Sequence, residues 1–235
     1  MNPHHIVSCE QCQNHTCFLK QNGSSISPQV IESKKLQMHY LQGQYIIHEG
    51  DPILGLLFVQ QGKVKIFSGQ NGTQHIVRLV QAGESLCFRG YGRTTYLTSS
   101  VAMEDSRICF FESNDFMQVC DGHELLKCLI SYLGDELEVA EKRLKYLMQM
   151  NVREKTAEAL LFMKKSFGLN KKHELDVYMS RKDIAAIAGT SEELIIRQLS
   201  DFEKEKLIER RVRGSKIALL DEKKLSQLIS KYDVF

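Results

Sequence analysis

The chain has 235 residues, of which 43% are hydrophobic, and a formal net charge of +2 at pH 7; this is enough for one large or two ordinary domains with apolar cores. No basic stretch followed by an apolar run stands near the first residue, and no run approaches the roughly 18 apolar residues of a membrane span. We therefore expect a globular protein that stays in the cytoplasm and makes no contact with a membrane.

Charge is distributed unevenly along the chain. Residues 151–235 hold 18 Lys and Arg against 14 Asp and Glu, a net charge of +4, whereas residues 1–150 have a net charge of −2. This modest asymmetry fits a basic nucleic-acid module joined to a neutral sensory one. The seven cysteines, an odd number in a chain without a secretion signal, favour reduced thiols or metal ligands over disulfides.

Short strands separated by glycines are predicted from about Tyr40 to Glu112. Runs of β-branched and aromatic residues alternate with turn glycines, which is typical of an antiparallel roll or barrel rather than a parallel sheet. A barrel of this size can hold one small ligand in its interior. The predicted strands cover residues 45–48, 56–59, 63–67, 75–80 and 107–111.

A long helix is predicted from His123 to Met150, a stretch with no proline and one glycine. Its apolar residues follow the 4-3 spacing of a heptad repeat. So narrow a stripe favours a parallel coiled coil between two copies over the alternative, packing of the helix on its own barrel. The predicted seam consists of Leu126, Ile130, Leu133, Leu137, Ala140, Leu144 and Leu147. A second helix is predicted over residues 152–167, ending at Gly168.

Two short helices joined by a turn are predicted between Met179 and Phe202. Ser180 caps the first helix with Asp183 three residues later, and Gly189 ends it. Ser191 caps the second helix, whose first turn carries two acidic residues that the helix dipole favours. This pattern predicts a helix-turn-helix, whose second helix enters the DNA major groove with its N-terminal residues.

The second helix carries residues able to read bases. Glu193 and Arg197 are one turn apart, so the carboxylate can accept from cytosine and the guanidinium can meet guanine; the alternative is an ordinary surface ion pair. A basic hairpin over residues 209–220 follows and predicts a wing against phosphates, although a solvated hairpin tip would look similar. The predicted DNA-binding residues are Ser180, Arg181, Lys182, Ser191, Glu192, Glu193, Arg197, Arg211, Arg213 and Lys216.

In this order, these motifs resemble the CRP/FNR superfamily of bacterial transcription regulators, from about Cys9 to Leu228. The resemblance is carried by residues 50–51, 55–59, 62–64, 83–84, 93–94, 152–155 and 183–185, with Gly189, Glu193 and Arg197. It implies an α+β fold: an N-terminal antiparallel β-roll (a double-stranded β-helix like that of cyclic-nucleotide-binding domains), a long dimerisation helix and a C-terminal winged helix-turn-helix. The implied boundaries are 1–22 for a Cys-containing arm, 23–122 for the effector-binding roll, 123–150 for the dimerisation helix and 151–235 for the DNA-binding domain.

The resemblance also implies partners. A family member of this kind is a homodimer that binds a pseudo-palindromic operator in double-stranded DNA and works with RNA polymerase. The positions matching Glu193 and Arg197 contact a TGA-type half-site, whereas Glu192 and Ile196 depart from the family patterns and leave the outer bases open. The competing class, a cyclic-nucleotide-binding regulatory module without DNA-binding activity, leaves the helix pair and the basic hairpin unexplained. We find no nucleophile grouping, HExxH motif or P-loop, and expect no enzymatic activity.

The effector stays open at this point, and a cyclic nucleotide is the first alternative. The resemblance implies a phosphate cassette of Gly83, Glu84, Arg93 and Thr94, in which Glu84 takes the ribose hydroxyl and Arg93 the phosphate. The alternative is a vestigial pocket in which Glu84 and Arg93 pair with each other.

A metal or cluster is the second alternative. Cys9, Cys12, Cys17 and Cys109 resemble the four ligands of a [4Fe–4S] cluster in anaerobic members of the family, whose oxidation would disassemble the dimer. A second hypothesis for this site is zinc held by the three N-terminal cysteines with His15. A third is that no cofactor is bound. Heme or nitric oxide is the third alternative, with the available histidines His39, His48 and His75. Cys87, Cys120 and Cys128 are interpreted as packing residues.

Overall fold

The structure is a computed structural model that describes residues 7–22, 28–69, 74–86, 94–119, 123–211 and 216–234. The chain forms two compact units, the first made of residues 1–68 and 78–135, the second of residues 69–77 and 136–235. Within the described ranges, no helix has both the length and the apolar character that crossing a membrane requires.

Two antiparallel sheets form the N-terminal half of the chain. In one, β7 lies between β1 and β3; in the other, the order is β2-β6-β4-β5. Residues Gln37 of β1 and Phe58 of β3 flank Cys109 of β7 in register. The strands are β1 (Lys35–Tyr40), β2 (Tyr45–Ile47), β3 (Gly55–Gln61), β4 (Lys63–Ser68), β5 (His75–Gln81), β6 (Ser99–Ala102) and β7 (Ser106–Glu112).

Each face of the β1-β7-β3 sheet packs against its own hydrophobic cluster. Side chains alternate along β7, so Ile108 and Phe110 join the cluster between the two sheets, which also contains Val59, Val64 and Val80. The opposite face of the sheet carries a second cluster, here called the outer cluster. Its buried members are Phe18, Leu19, Ile31, Leu56, Phe58, Phe111, Phe116 and Leu125, and Cys9, Cys17, Cys109, Cys128, Leu129, Tyr132 and Leu133 pack against it.

The described residues of this half also form, wholly or in part, the helices α1 (Phe18–Asn22), α2 (Pro28–Lys34), α3 (Ser113–Val119) and α4 (His123–Leu147). The predicted roll is confirmed, and all five predicted strands are present with ends shifted by a few residues. Strands β1 and β6 were not predicted from the sequence. The four residues Ser99–Ala102 of β6 are small and buried, and they carry little of the β-branched or aromatic signal on which strand prediction rests.

Two stripes of α4 differ in their surroundings. Leu125, together with the partly buried Leu129 and Leu133, packs on the outer cluster. Most of the predicted seam is exposed to solvent within the single chain. The exposed fractions are 43% for Leu126, 62% for Ile130, 56% for Leu137 and 66% for Leu144.

The C-terminal half contains α5 (Val152–Phe167), α6 (Arg181–Ala188), α7 (Glu192–Lys204), the antiparallel hairpin of β8 (Ile208–Arg211) and β9 (Lys216–Leu219), and α8 (Glu222–Leu228). The prediction for α5 matches its observed ends. Asn151 and Glu154 form a capping box at its start, since the Asn151 side chain accepts from the Glu154 backbone N–H and the Glu154 carboxylate accepts from the Asn151 N–H. Leu160 of α5, Ile184 of α6 and Leu199 of α7 are fully buried.

Glu154 generates a prediction about pH. Burial acts to raise the pKa of its carboxyl group, but hydrogen bonds from Lys231, the Asn151 N–H and Tyr232 outweigh burial and hold the pKa below its ordinary value. The resulting stability is therefore present above the ordinary carboxyl range and is lost as the pH falls through the lowered pKa. Glu154→Gln keeps the capping geometry but removes the charge, and should lower the free energy of unfolding at pH 7 by about 1 kcal/mol.

The measurement is urea unfolding of both proteins between neutral pH and about pH 3. The difference between wild type and Glu154→Gln should shrink towards acid, because the wild-type carboxylate becomes protonated. Glu141→Gln, an exposed change on α4, should have little effect at any pH. A difference that persists undiminished in acid would contradict the assignment.

Candidate nucleic-acid interface and cysteine cavity

The helix pair α6–α7 has the capping geometry that the sequence predicts. Ser180 Oγ accepts a hydrogen bond from the Asp183 backbone N–H at 3.0 Å, and the Asp183 carboxylate accepts from the Ser180 N–H at 3.3 Å. Gly189 adopts the left-handed conformation (φ 59°, ψ 46°), and its N–H donates to the Ala185 carbonyl. A residue with a Cβ is disfavoured there, so the glycine lets the chain turn from α6 into α7.

One face of α7 packs and the other is presented to solvent. Ile195, Leu199 and Phe202 are fully buried against the rest of the second unit. The predicted reading residues Glu193 and Arg197 are exposed on the opposite side. Also exposed are Ser191, Glu192 and Ile196, and Ser191 Oγ accepts from the Leu194 N–H at 3.3 Å as the helix cap. The first two turns of α7 are therefore available to a ligand.

The basic hairpin has its arginines partly committed to acidic neighbours. The Arg210 guanidinium donates to Glu203, and Arg211 donates to Glu209 and the buried Glu174. Lys216 pairs in register with Arg211. Arg213 lies outside the described residues. At the start of α6, Lys182 is exposed and Arg181 is half-buried.

Four cysteines line one cavity of about 260 Å³ in the first unit. Cys9, Cys12 and Cys17 precede the sheets in the chain, whereas Cys109 lies in the middle of β7. Among the described residues, no three Cys, His, Asp or Glu side chains form a group that could hold a metal ion. The other described residues that line the cavity are Asn14, Leu19, Lys20, Ile31, Lys35, Phe58, Val59, Gln60 and Phe111.

Hydrogen bonds fix the start of the cysteine-bearing segment beside β1. The Gln37 side chain exchanges two bonds with the Val7 backbone, at 2.9 and 2.7 Å. The Cys9 N–H donates to the Glu32 carboxylate at 2.7 Å. The Lys35 ammonium then donates to Glu32 at 3.0 Å and to Cys9 Sγ at 3.4 Å.

The end of the same segment is held beside β3 and the turn after β5. Asn14 Nδ2 donates to the Val59 and Gln60 carbonyls, at 3.4 and 3.3 Å, and Thr16 Oγ1 donates to the Ala82 carbonyl at 3.0 Å. Gly83, which has a positive φ of 105°, meets this segment so closely that a Cβ would lie 2.1 Å from Thr16 Oγ1. Only a glycine at position 83 therefore leaves room for the cysteine-bearing segment to pack here. This role of Gly83 was not predicted from the sequence.

The electrostatics of the cavity are set by burial and by Lys35, whose side chain is only 2% exposed. Burial acts to lower the pKa of Lys35, but the hydrogen bond to Glu32 and the proximity of Cys9 and Cys109 outweigh it and raise the pKa above its ordinary value. Burial raises the pKa of Cys109 to about 12 and also raises the pKa of Cys9, although Lys35 acts to lower both. A bound cation would favour the thiolate forms instead.

Two nitrogen donors reach cavity sulfurs that the sequence analysis did not connect with them. Lys35 approaches Cys9, and Gln60 Nε2 lies 3.7 Å from Cys12 Sγ. The Gln60 Oε1 atom is buried, and no hydrogen-bond donor among the described residues reaches it. Neither residue carries a local motif, because the register of the strands and the path of the N-terminal segment bring them to the cavity.

The other predicted effector residues have mixed placements. Glu84 accepts from the Gln81 N–H at 3.0 Å and so closes its own turn, and the Thr94 carbonyl accepts from the Ile53 N–H at 2.9 Å. Arg93, Cys87 and Cys120 lie outside the described residues, and Cys128 packs on the outer cluster. The His48 ring stacks on Tyr45 at 4.2 Å between centroids; His39 lies on β1 and His75 opens β5, while His15 is not among the described residues lining the cavity.

Two family models match the chain in tandem. Residues 37–123 match the cyclic nucleotide-binding domain, and residues 154–228 match the Crp-like helix-turn-helix domain. The chain belongs to the CRP/FNR family. It is a DNA-binding transcription regulator, with the β-roll, long helix and helix-turn-helix of that family.

Known relatives are distant in sequence and similar in fold. The cAMP-activated global transcriptional regulator CRP of Salmonella typhimurium is 23% identical over 69% of this chain and 80% of its own length. The transcriptional activator protein Anr of Pseudomonas aeruginosa is 22% identical over 80% of this chain and 78% of its own. The structure of FixK2 from Bradyrhizobium japonicum has a TM-score of 0.74 at 19% identity, covering 83% of this chain and 96% of that one. A CooA mutant from Carboxydothermus hydrogenoformans has a TM-score of 0.73 at 21% identity, covering 91% and 95%.

For this CRP/FNR protein, the exposed face of α7 generates a prediction. Arg197→Met should weaken binding to a palindromic duplex with TGA half-sites about 10- to 100-fold and reduce discrimination against changed half-sites, because methionine cannot make the bidentate contact to guanine that is predicted for Arg197. Lys204→Met removes the same charge from the exposed end of the helix, so it should weaken binding slightly and for all sequences alike. Mobility shifts at fixed salt measure both. Equal losses for the two variants would contradict base reading by Arg197.

Proposed function

We propose that this chain is a homodimeric transcription regulator whose affinity for its operator is set by a redox signal at a [4Fe–4S] cluster. One observation carries the proposal: Cys9, Cys12, Cys17 and Cys109 share one cavity although Cys109 is remote from the other three in sequence. Thiolates are the ligands that iron–sulfur clusters use. Such a regulator would work in the cytoplasm, with double-stranded DNA and RNA polymerase as partners, and has no need of catalytic chemistry.

The residue types around the cavity suit a cluster of several iron atoms, although no three of the described Cys, His, Asp or Glu side chains form a group that could hold a single metal ion. The four cysteines would supply its ligands, and the cavity lies over an apolar sheet face that includes Phe58 and Phe111. Lys35 adds a buried positive charge beside thiolates that would carry negative charge, and the Gln60 amide adds a polar group. When bound, the cluster supplies a centre that gains or loses an electron or is dismantled by oxygen, at a potential tuned by charge, hydrogen bonds to sulfur and solvent exposure.

The outer cluster connects the cavity with the dimerisation helix. Cys9, Cys17 and Cys109 pack against the same buried side chains as Leu129 and Leu133 of α4. A change in the position of the cysteine segment therefore alters the surface on which the first half of α4 rests. Because close-packed interiors deform little, we propose that α4 responds by shifting as a rigid body.

The neighbouring, exposed stripe of α4 would form the dimer. Leu126, Ile130, Leu137 and Leu144 repeat with heptad spacing and are exposed in the single chain. A parallel coiled coil with a second copy buries such a stripe. The two-fold axis of that dimer would then present two α7 helices to half-sites about one DNA turn apart.

The cluster hypothesis is tested by comparing two cysteines on the same outer cluster. Protein purified without oxygen should contain about four iron atoms per chain and show a broad visible absorption that bleaches in air. Cys109→Ala should lose both iron and absorption, whereas Cys128→Ala, which is not among the described lining residues, should keep them. Zinc in place of iron, or a coloured Cys109→Ala protein, would contradict the proposal. A colourless, metal-free wild type would do so too, and would direct attention to a cyclic nucleotide.

The dimer is tested independently by Leu137→Glu. Each seam leucine contributes about 1.5–3 kcal/mol on burial, and the change affects both chains, so the dimer dissociation constant should rise at least about 100-fold. Leu54→Glu places the same charge at a roll position that is 67% exposed and should leave the dimer intact. Sedimentation equilibrium measures both. Dimerisation unaffected by Leu137→Glu would count against the seam.

A further inference from the structure

Three helices of the second unit meet at one buried arginine. Arg143 of α4 donates from Nε to Glu158 Oε1 of α5 at 2.7 Å and from Nη2 to Glu158 Oε2 at 3.2 Å. The same Nη2 donates to the Ile187 carbonyl of α6 at 3.1 Å. Glu158 is fully buried and Arg143 is 7% exposed. The Arg143 guanidinium also lies 3.9 Å from the centroid of the Phe162 ring.

The arrangement is directional as well as buried. A guanidinium is a rigid planar fork, so donating to a carboxylate and a carbonyl together fixes both distance and orientation. A buried ion pair gives little net stability compared with apolar residues of similar volume. Its effect is therefore expected on the relative placement of the helices rather than on the stability of the unit.

The Ile187 carbonyl lies where the reading motif turns. It belongs to the last turn of α6, whose final carbonyls have no partner within the helix. The turn residue Gly189 follows two positions later, and α7 begins at Glu192. Arg143 thus holds the end of the first helix from which the DNA-reading helix departs.

Arg143 stands next to a seam residue. Adjacent residues on a helix point about 100° apart, and Leu144 is 66% exposed while Arg143 is buried. One turn of α4 therefore carries both Leu144, which would face a second copy of the chain, and Arg143, which is hydrogen-bonded to α6 of the helix-turn-helix. This part of α4 also contacts the C-terminal end of the chain, through the ring contact between Tyr146 and Tyr232 and the ion pair between Lys142 and Asp233. Neither of these contacts reaches α6.

We propose that Arg143 is the positioning residue that fixes the DNA-binding helix pair α6–α7 of each chain against α4 of the same chain. The dimer formed by the two α4 helices then sets the distance between the two helix pairs. This inference rests on the proposed homodimer. It assigns Arg143 no contact with DNA and no role in holding a cofactor.

The test measures half-site spacing. Duplexes carry two TGA half-sites whose separation changes one base pair at a time around one DNA turn, and a further duplex carries a single half-site. Arg143→Met alone leaves Glu158 buried without its cation, which destabilises the unit. The principal variant is therefore Arg143→Met with Glu158→Met, which removes both charges and keeps buried volume. Lys142→Met is the matched control, because it removes a cation from the neighbouring, partly exposed position, which does not contact α6.

The wild type should bind one half-site spacing at least about 10-fold better than the neighbouring spacings, because two helix pairs held at a fixed distance fit half-sites at only one separation. The double variant should lose most of that preference while single half-site affinity and the sedimenting dimer stay unchanged. Arg143→Lys should lie between them, because an ammonium lacks the fork, and Lys142→Met should keep the wild-type profile.

Two results overturn the inference in distinguishable ways. A sharp spacing preference that persists in a folded double variant removes the role of Arg143 alone. If the double variant loses as much affinity for the single half-site as for the paired half-sites, and its spacing preference does not change, Arg143 has a merely structural role and its positioning role is likewise removed. A flat wild-type profile instead removes the proposed symmetric dimer and this inference with it.

Discussion

The burial of both faces of β7 is the constraint on which the first unit depends. Alternation along the strand sends Ile108 and Phe110 into the cluster between the sheets, and Cys109 and Phe111 towards the outer cluster. The second face is covered by the N-terminal segment and by residues of α2, α3 and α4, and Cys109 is partly buried beneath them. Polar contacts hold the N-terminal segment at its two ends, and the cavity with its four cysteines lies between them.

Buried and exposed charged side chains have different functions in this protein. Lys35 and Arg143 are buried, and each holds groups from separate segments in a defined arrangement. In the described part of α7, Glu193 and Arg197 are exposed. Burial makes a charge expensive unless its partners are fixed, so buried charges organise the protein. Exposed charges keep their hydration until a ligand replaces it, which suits the reading of DNA.

The two halves of the chain also differ in how their candidate sites are built. The helix-turn-helix is local: Ser180, Gly189 and Ser191 set both ends of α6 and the start of α7 through bonds to residues no more than four positions away. The cysteine cavity is assembled from the N-terminal segment and from strands β1, β3 and β7. A local site depends on capping and periodicity alone, whereas an assembled site depends on strand register, which a short window of sequence does not contain.

By itself, the sequence was sufficient to predict the roll, the long helix α4, α5 and the helix-turn-helix with its caps, because each depends on periodicity or on bonds within one turn of chain. It also grouped Cys109 with the N-terminal cysteines, but only through the resemblance to a family. Folding alone decided that Lys35 and Gln60 lie beside those cysteines and that Gly83 seats Thr16. It also decided that Arg143 joins Glu158 to the Ile187 carbonyl. These contacts join residues far apart in the chain, so their partners are selected by tertiary packing and no local pattern records them.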